Sequence, residues 1–298
     1  MKKVLLATSA LTMLAGAAAA QMTVGGSARM GVYNDSAGTV TERRMRINVS
    51  GSGESDSGIS FGAWARFQSG NAKDGFLGAT GVMSGSNVWI SNGTMTLTVG
   101  NSGGAVNQVG GLYAVGGCGF SASPSYQQYC ANVLNQGNGS FAQTSSGGAG
   151  PNIVRLDFAL GSANVSISGG NTNDAEIAVG FALGSVNLAV GYDNGAAATG
   201  GTYVSVSGDA GSAQWGVTYY RTTAGATQYI AKAATAVGAG SVGAFLANDG
   251  AGNRWGLNYS QSLGGGAAAT VAITNQAAAG AGGQLAGTTV TAGVTMGF

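Results

Sequence analysis

The chain is 298 residues long, and 44% of its residues are hydrophobic while 8% are charged. Because a soluble globular domain has about 25% charged residues, few positions of this chain are expected to face bulk water. The formal net charge of +1 argues against general affinity for nucleic acid, and the absence of histidine excludes a hydrolase or protease that depends on it.

The first twenty residues have the order of a secretory signal peptide. Lys2 and Lys3 form a short basic region, an apolar run covers residues 4–14, and alanines 18–20 precede the expected cleavage after Ala20. The apolar run is too short for a membrane helix, which needs about 20 residues. Loss of the two lysines changes the formal net charge from +1 to −1. We expect an exported chain with a single domain over residues 21–298.

Alternation of apolar with small or polar residues marks sixteen segments along this domain. Most are close to the 9–11 residues that a tilted strand needs to cross a bilayer. A disordered chain would lack this periodic hydrophobicity, and a β-solenoid would show a fixed short repeat. The predicted strands are 22–33, 43–51, 58–68, 87–92, 94–100, 152–159, 163–169, 175–182, 185–192, 202–208, 213–221, 227–234, 240–248, 253–260, 267–275 and 288–298.

The connections between these strands alternate in length. Short ones at 160–162, 183–184 and 209–212 contrast with longer ones at 34–42, 69–86 and 276–287. Short turns on one rim and longer loops on the other are typical of bacterial outer-membrane barrels. The sequence therefore predicts a transmembrane antiparallel β-barrel of about 16 strands, with both termini on the periplasmic, short-turn rim.

Charge placement tests this prediction, because a Lys or Arg on the lipid face costs about 2–4 kcal/mol at the midplane. With apolar residues such as Val24, Ile47 and Phe61 facing lipid, two arginines, Arg43 and Arg221, fall on the lipid face, each at the end of a predicted strand. The charged residues sent inward are Arg29, Arg44, Arg46, Arg66, Arg155, Asp157, Glu176, Lys232 and Arg254. In the alternative fold, a β-sandwich, these charged and polar residues would have to lie in a core without water.

Residues 101–151 show no strand pattern and contain no Asp, Glu, Lys or Arg. Loops this long are usually functional or disordered, and this one has aromatic residues with which to pack. We expect it to fold into the lumen as a constriction loop. Cys118 and Cys130 are the two cysteines of the chain and lie in this loop. Because the chain matures in an oxidising compartment, we predict a disulfide between them, worth roughly 3 kcal/mol.

Four inward arginines come from three adjacent predicted strands and are expected to form one wall of the pore: Arg29, Arg44, Arg46 and Arg66. Since the Debye length at physiological salt is about 8 Å, their potential would extend across a narrow opening. We predict a mildly anion-favouring constriction, with Arg155 and Arg254 as additional lining. The alternative is that some arginines pair with Asp157, Glu176 or Glu42.

The last segment completes the barrel pattern. Val290, Ala292, Val294 and Met296 alternate with small or polar residues, and the chain ends on an aromatic residue, Phe298. This pattern predicts the closing strand, with Phe298 as an assembly signal.

The chain resembles the trimeric general-diffusion porins of alphaproteobacteria at residues 1–5, 27–32, 44–51 and 58–63 and at Phe298. The similarity is sharpest over roughly the first seventy residues and the last strand. It implies sixteen strands in each pore, a homotrimer in outer-membrane lipid and lipopolysaccharide, and a third loop folded inside. In that family, basic wall residues face acidic residues on the loop. The four wall arginines match the basic side, but the acidic partners are missing here.

These observations predict an outer-membrane porin for passive diffusion of small hydrophilic solutes and ions, with no enzyme activity, no nucleic-acid partner and no cofactor. A structural calcium ion bound through Asp35, Asp193 or Asp249 is left open. A sugar- or nucleoside-selective channel would need an aromatic track, for which the inward aromatics are Trp64, Trp89, Tyr203, Tyr220 and Phe245. A structural or adhesive barrel would lack conductance.

Overall fold

The computed structural model describes residues 21–71, 82–109, 152–170, 175–195, 200–248, 250, 252–277 and 286–298. Within them, sixteen antiparallel strands form one closed sheet in which sequence neighbours pair and β1 also pairs with β16. The strands are β1 (Gln21–Asp35), β2 (Gly38–Glu54), β3 (Ser60–Asn71), β4 (Val82–Ser91), β5 (Met95–Asn101), β6 (Asn152–Leu160), β7 (Ala163–Gly170), β8 (Ala175–Leu183), β9 (Val186–Asp193), β10 (Gly201–Ala210), β11 (Ala213–Thr222), β12 (Thr227–Val237), β13 (Gly240–Asn248), β14 (Asn253–Gly264), β15 (Ala267–Gln276) and β16 (Gly287–Gly297). The predicted barrel of sixteen strands is confirmed.

A short helix, α1 (Ala105–Gln108), follows β5. Among the described residues, no helix combines the length and the apolar character needed to cross a membrane. The predicted signal peptide, residues 1–20, lies outside the described residues.

The outer face of the barrel is apolar, as the alternation predicts. Strand register places Ala28 opposite Met45, and Ile47 opposite Phe67, on this face. Large apolar side chains are exposed along it, with Phe61 47% exposed. Closure of the sheet satisfies the backbone hydrogen bonds of every strand edge, which lipid could not do.

The inner face carries the polar phase. Glu176, Lys232 and Arg254, all predicted to point inward, are 2%, 6% and 3% exposed. Arg221 lies on the outer face one residue before the end of β11, as expected. Arg43 is also exposed on the outer face, opposite Met30, but β2 begins at Gly38. The prediction that Arg43 ends its strand is therefore wrong.

The two rims differ in their connections. Five hairpins on the rim that carries both termini have two-residue turns: β6–β7, β8–β9, β10–β11, β12–β13 and β14–β15. Each turn begins with a glycine whose φ lies between 58° and 70°, a conformation that glycine adopts at little cost. On the opposite rim the predicted long connection 34–42 is wrong, because Ser36 and Ala37 alone separate β1 from β2.

The barrel closes where the last residue meets the first strand. Gly26 N–H donates to the Phe298 carbonyl at 2.6 Å, and Phe298 N–H donates to the Gly26 carbonyl at 3.1 Å. A Cβ added at Gly26 would overlap the Phe298 ring. Glycine at this position therefore makes room for the terminal aromatic side chain on the outer face.

Candidate functional site

Four inward arginines, Arg29, Arg44, Arg46 and Arg66, lie on neighbouring strands of one wall of the barrel, which we call the arginine wall. Arg29 of β1 is directly opposite Arg44 of β2. Arg46 lies one inner position further along β2, and Arg66 of β3 is opposite Asn48. Inner positions along a strand are roughly 7 Å apart, so the arginine wall spans about 13 Å along the strands.

A carboxylate lies at one end of the arginine wall. The Arg29 guanidinium pairs with Glu42 at 2.5 Å, and both side chains are buried. Arg44 is half-buried and lies within electrostatic reach of Glu42, Arg29 and Arg46. The alternative considered from the sequence, pairing with Glu42, thus applies to Arg29. With four guanidinium groups and one carboxylate, this patch carries a formal net charge of +3.

Neutral amides position the other two guanidinium groups. Arg46 Nε donates to Gln68 Oε1 at 2.5 Å, across the β2–β3 pair. Arg66 Nε donates to Asn48 Oδ1 at 3.1 Å across the same pair. Because amide acceptors carry no formal charge, these hydrogen bonds orient both arginines without cancelling their positive charge. Both side chains are half-buried.

Arg155 has a different environment from the arginine wall. Its Nε lies 2.9 Å from an Asp157 oxygen. Its Nη1 donates to Ser102 Oγ at 2.5 Å and to the Gly103 carbonyl at 2.7 Å. Only 7% of its surface is exposed. Arg155 therefore holds the chain segment that leaves β5, rather than standing open to the lumen.

That segment, residues 102–109, lies against the inner face of β6 to β9. The turn inward follows Gly100, whose φ is 121°; a side chain there would meet the Ser86 carbonyl at 2.6 Å. Two backbone N–H groups of the segment then donate to side chains on the inner face of the barrel. Ala105 N–H donates to Ser168 Oγ at 2.8 Å, and Val106 N–H donates to Glu176 Oε2 at 2.9 Å.

Apolar packing completes the attachment of the segment. Val106 and Val109 are both 2% exposed. A Cβ at Gly191 would lie 2.9 Å from Val106, and one at Gly180 would lie 2.8 Å from Val109. The inner wall thus has glycines where the valines of the segment approach it, a complementarity that small side chains permit.

The inner aromatic residues divide into two groups. Tyr203 and Tyr220 stack with ring centroids 4.1 Å apart, and with Phe245 they are at most 4% exposed. They belong to the apolar cluster that includes α1. Trp64 and Trp89, on β3 and β4, are half-buried. Only this second pair presents appreciable surface among the inward aromatics predicted from the sequence.

The remaining predicted site residues are separate from the arginine wall. Arg254 lies on β14 and donates to Gln276 Oε1 at 2.6 Å. Cys118, Cys130 and Asp249 lie outside the described residues. Among the side chains that the structure does describe, no three His, Cys, Asp or Glu groups come together as metal ligands would.

Several residues that hold these groups were not identified from the sequence. Asn48 and Gln68 position arginines across a strand pair, and the strand register would have paired them once the hairpin turns were known. Ser168 and Glu176 bind the segment after β5, for which the sequence offers no local signal.

The sequence profile of the Gram-negative porin family matches residues 7–280. The chain belongs to this family. Its fold is shared with solved structures of Rhodopseudomonas blastica porin. A quintuple mutant of that porin has a TM-score of 0.75 at 21% identity, and a double mutant has 0.76 at 21%. A triple mutant has 0.74 at 21%. Each comparison covers 93% of this chain and all of the other.

Curated protein sequences give no match to this porin. Family and fold together make the chain an outer-membrane channel for passive diffusion.

Proposed function

We propose that this porin conducts small hydrophilic solutes and ions by passive diffusion with a mild preference for anions, and that it has no enzymatic activity. The arginine wall is the observation that supports the preference. It carries four guanidinium groups against one carboxylate, and residues 101–151, which we expect to narrow the pore, have no charged residue. The positive potential of the wall is therefore not opposed by acidic groups on the loop.

Screening sets the size of this effect. At physiological salt the Debye length is about 8 Å, and it grows to about 30 Å at 0.01 M. A one-sided positive wall thus enriches anions most strongly in a narrow opening and at low salt. We expect selectivity to decline as the salt concentration rises.

The test is the reversal potential of single channels in a potassium chloride gradient. The double variant Arg44→Gln, Arg46→Gln removes two of the four charges, and we expect it to move the reversal potential towards zero. Arg43→Gln is the matched control, because Arg43 precedes them in the sequence but is exposed on the outer face. Clear cation selectivity of the unmodified channel, or an equal shift in the Arg43 variant, would contradict the proposal.

The proposal includes the state in which the channel works. We infer that the chain is exported with residues 1–20 as a cleaved leader and assembles as a homotrimer in outer-membrane lipid and lipopolysaccharide. The exposed apolar outer face supports embedding in lipid, and the resemblance at residues 27–32 and 44–51 supports the trimer. Amino-terminal sequencing and native mass spectrometry of protein purified from membranes test the two inferences. An intact leader or a monomeric mass would contradict them.

A solute-selective channel remains the second candidate, carried by the half-buried Trp64 and Trp89 on the inner face. Tyr203, Tyr220 and Phe245 give it no support, because they are almost fully buried. Uptake of an uncharged sugar or nucleoside that rises linearly with concentration favours the general pore, whereas saturation of that uptake favours the selective one. A structural or adhesive barrel would show no conductance in a planar bilayer.

A further inference from the structure

An open cavity of about 580 Å³ lies at the Arg66 end of the arginine wall, on the side nearer the rim that carries both termini. It is lined by Thr23, Val24, Gly25, Asn48, Ser50, Trp64, Arg66 and Asn87. Its volume is within the roughly 300–1,000 Å³ of small-molecule sites. None of these described lining residues is acidic, so its formal charge is that of Arg66.

The Arg66 guanidinium is held on two sides. Its centre lies 4.8 Å from the centroid of the Trp64 ring, a cation–π contact, and its Nε donates to Asn48 Oδ1 at 3.1 Å. A guanidinium is a planar fork of five N–H donors, a geometry that suits a carboxylate. Because its orientation is already fixed, little side-chain entropy is lost when it binds an anion.

Hydroxyl and amide groups form the rest of the polar lining. Thr23 Oγ1 and Ser50 Oγ lie 2.6 Å apart, as a hydrogen-bonded pair of hydroxyls. Asn87 lies opposite Trp64 and donates its Nδ2 to the Asn101 carbonyl at 3.1 Å, and its Oδ1 is an acceptor. These groups can both donate to and accept from the hydroxyls of a solute, while the Trp64 ring supplies an apolar surface.

We propose that this cavity is a solute-binding site for hydroxylated carboxylates of monosaccharide size, such as sugar acids. Arg66 binds the carboxylate, the Thr23–Ser50 pair and Asn48 bind ring hydroxyls, and the indole of Trp64 packs against C–H groups of the saturated ring. The inference rests on the proposed function, since the solute must reach the site through the open channel. The inference adds to the proposed function the class of solute that binds inside the channel while it diffuses through.

Current through single channels measures this binding. Glucuronate is titrated into the bath, and the half-blocking concentration is compared with those of glucose, which lacks the charge, and acetate, which lacks the ring. We expect saturable block by glucuronate and a half-blocking concentration at least about tenfold higher for either comparison solute, because a hydrogen bond to a charged group is worth roughly a factor of ten or more.

Variants identify the site. Arg66→Gln is expected to raise the half-blocking concentration of glucuronate about tenfold, and Trp64→Leu about two- to fivefold. Trp255→Leu is the matched control, because Trp255 is 41% exposed on the outer face and its loss should leave block unchanged. Asn48→Ala is a milder second variant of the site, should Arg66→Gln fail to migrate as a folded barrel in unheated gel samples.

The outcomes separate this inference from the proposed function. If the channel conducts but glucuronate never saturates it, or if acetate blocks equally well, the sugar-acid site does not exist while the porin function stands. Block that is insensitive to Trp64→Leu and Asn48→Ala also overturns the site, because it places binding elsewhere on the arginine wall. If no channel forms at all, both proposals fall.

Discussion

Replacing Arg155 tests how the segment after β5 is held inside the barrel. Arg155→Met keeps most of the length of the side chain and its apolar packing but removes every donor. The variant can no longer donate to Ser102 Oγ at 2.5 Å or to the Gly103 carbonyl at 2.7 Å, and it cannot form the ion pair with Asp157 at 2.9 Å. Asp157 retains a hydrogen bond from Ser166 Oγ at 2.7 Å, and we expect the barrel itself to fold.

The expected magnitude follows from these hydrogen bonds. A hydrogen bond to a charged group contributes about 1.5–3 kcal/mol, so removing the two bonds to the segment weakens its attachment by roughly 3–6 kcal/mol. The bonds from Ala105 N–H and Val106 N–H to the wall remain. Even the lower figure corresponds to about a hundredfold change in the equilibrium between attached and detached segment.

Hydrogen exchange measured by mass spectrometry reports this equilibrium directly. A peptide that covers residues 102–109 should exchange at least about a hundredfold faster in Arg155→Met, while peptides from β1 and β16 should not change. Arg254→Met is the control, because this equally buried arginine lies on β14, away from β6 to β9, and bonds to Gln276 within the barrel wall. Unchanged exchange over residues 102–109 in the Arg155 variant would refute this account of the anchor.

Two further predictions concern the closing strand and the cysteines. Gly26→Val should displace the Phe298 ring and destabilise the closed barrel by about 1–3 kcal/mol, the usual cost of overpacking. Urea titration, with the folded barrel followed on unheated gels, measures this loss of stability. Ala28→Val, two residues along the same face, is the control and should leave the urea midpoint almost unchanged. Equal midpoints for the two variants would contradict a packing role for Gly26. Cys118 and Cys130 should form a disulfide, so treatment with a thiol reductant should add the mass of two hydrogen atoms to the intact chain, and an unchanged mass would show that the bond is absent.

The strand ladder could be predicted from the sequence because lipid constrains every second residue. Positions such as Ile47 and Phe61 must be apolar, while the alternate positions must not be. Charged residues such as Glu176 and Lys232 then fall on the inner face without any knowledge of their partners. The same constraint explains the error at the β1–β2 tip. Residues 38–42 are paired in β2 but show no apolar alternation, as expected of a hairpin that extends beyond the apolar layer.

Which residues lie opposite the arginines depends on the position of the β1–β2 turn. Each step back along β1 from Asp35 is matched by a step forward along β2 from Gly38, so the position of the turn alone decides that Arg29 faces Arg44. The long connection predicted at 34–42 left this register undetermined. The role of Arg155 was further out of reach, because it requires the chain to turn inward at Gly100 and return to β6.

The two faces of the barrel are under different physical constraints, and this difference locates the selectivity. A charge on the outer face costs free energy at the depth of the lipid core and little near the interfaces, so the part of that face within the lipid core is largely apolar. Inner side chains that line water meet no such penalty, so their charges can change while the fold stays the same. The Rhodopseudomonas blastica porin variants share this fold at 21% sequence identity. Among the described residues of this porin, four of the seven inward Lys and Arg side chains lie on β1 to β3, and residues 101–151 carry no charged residue. Ion preference should therefore follow substitutions on the arginine wall and be insensitive to neutral substitutions in the loop, as long as the loop stays attached through Arg155.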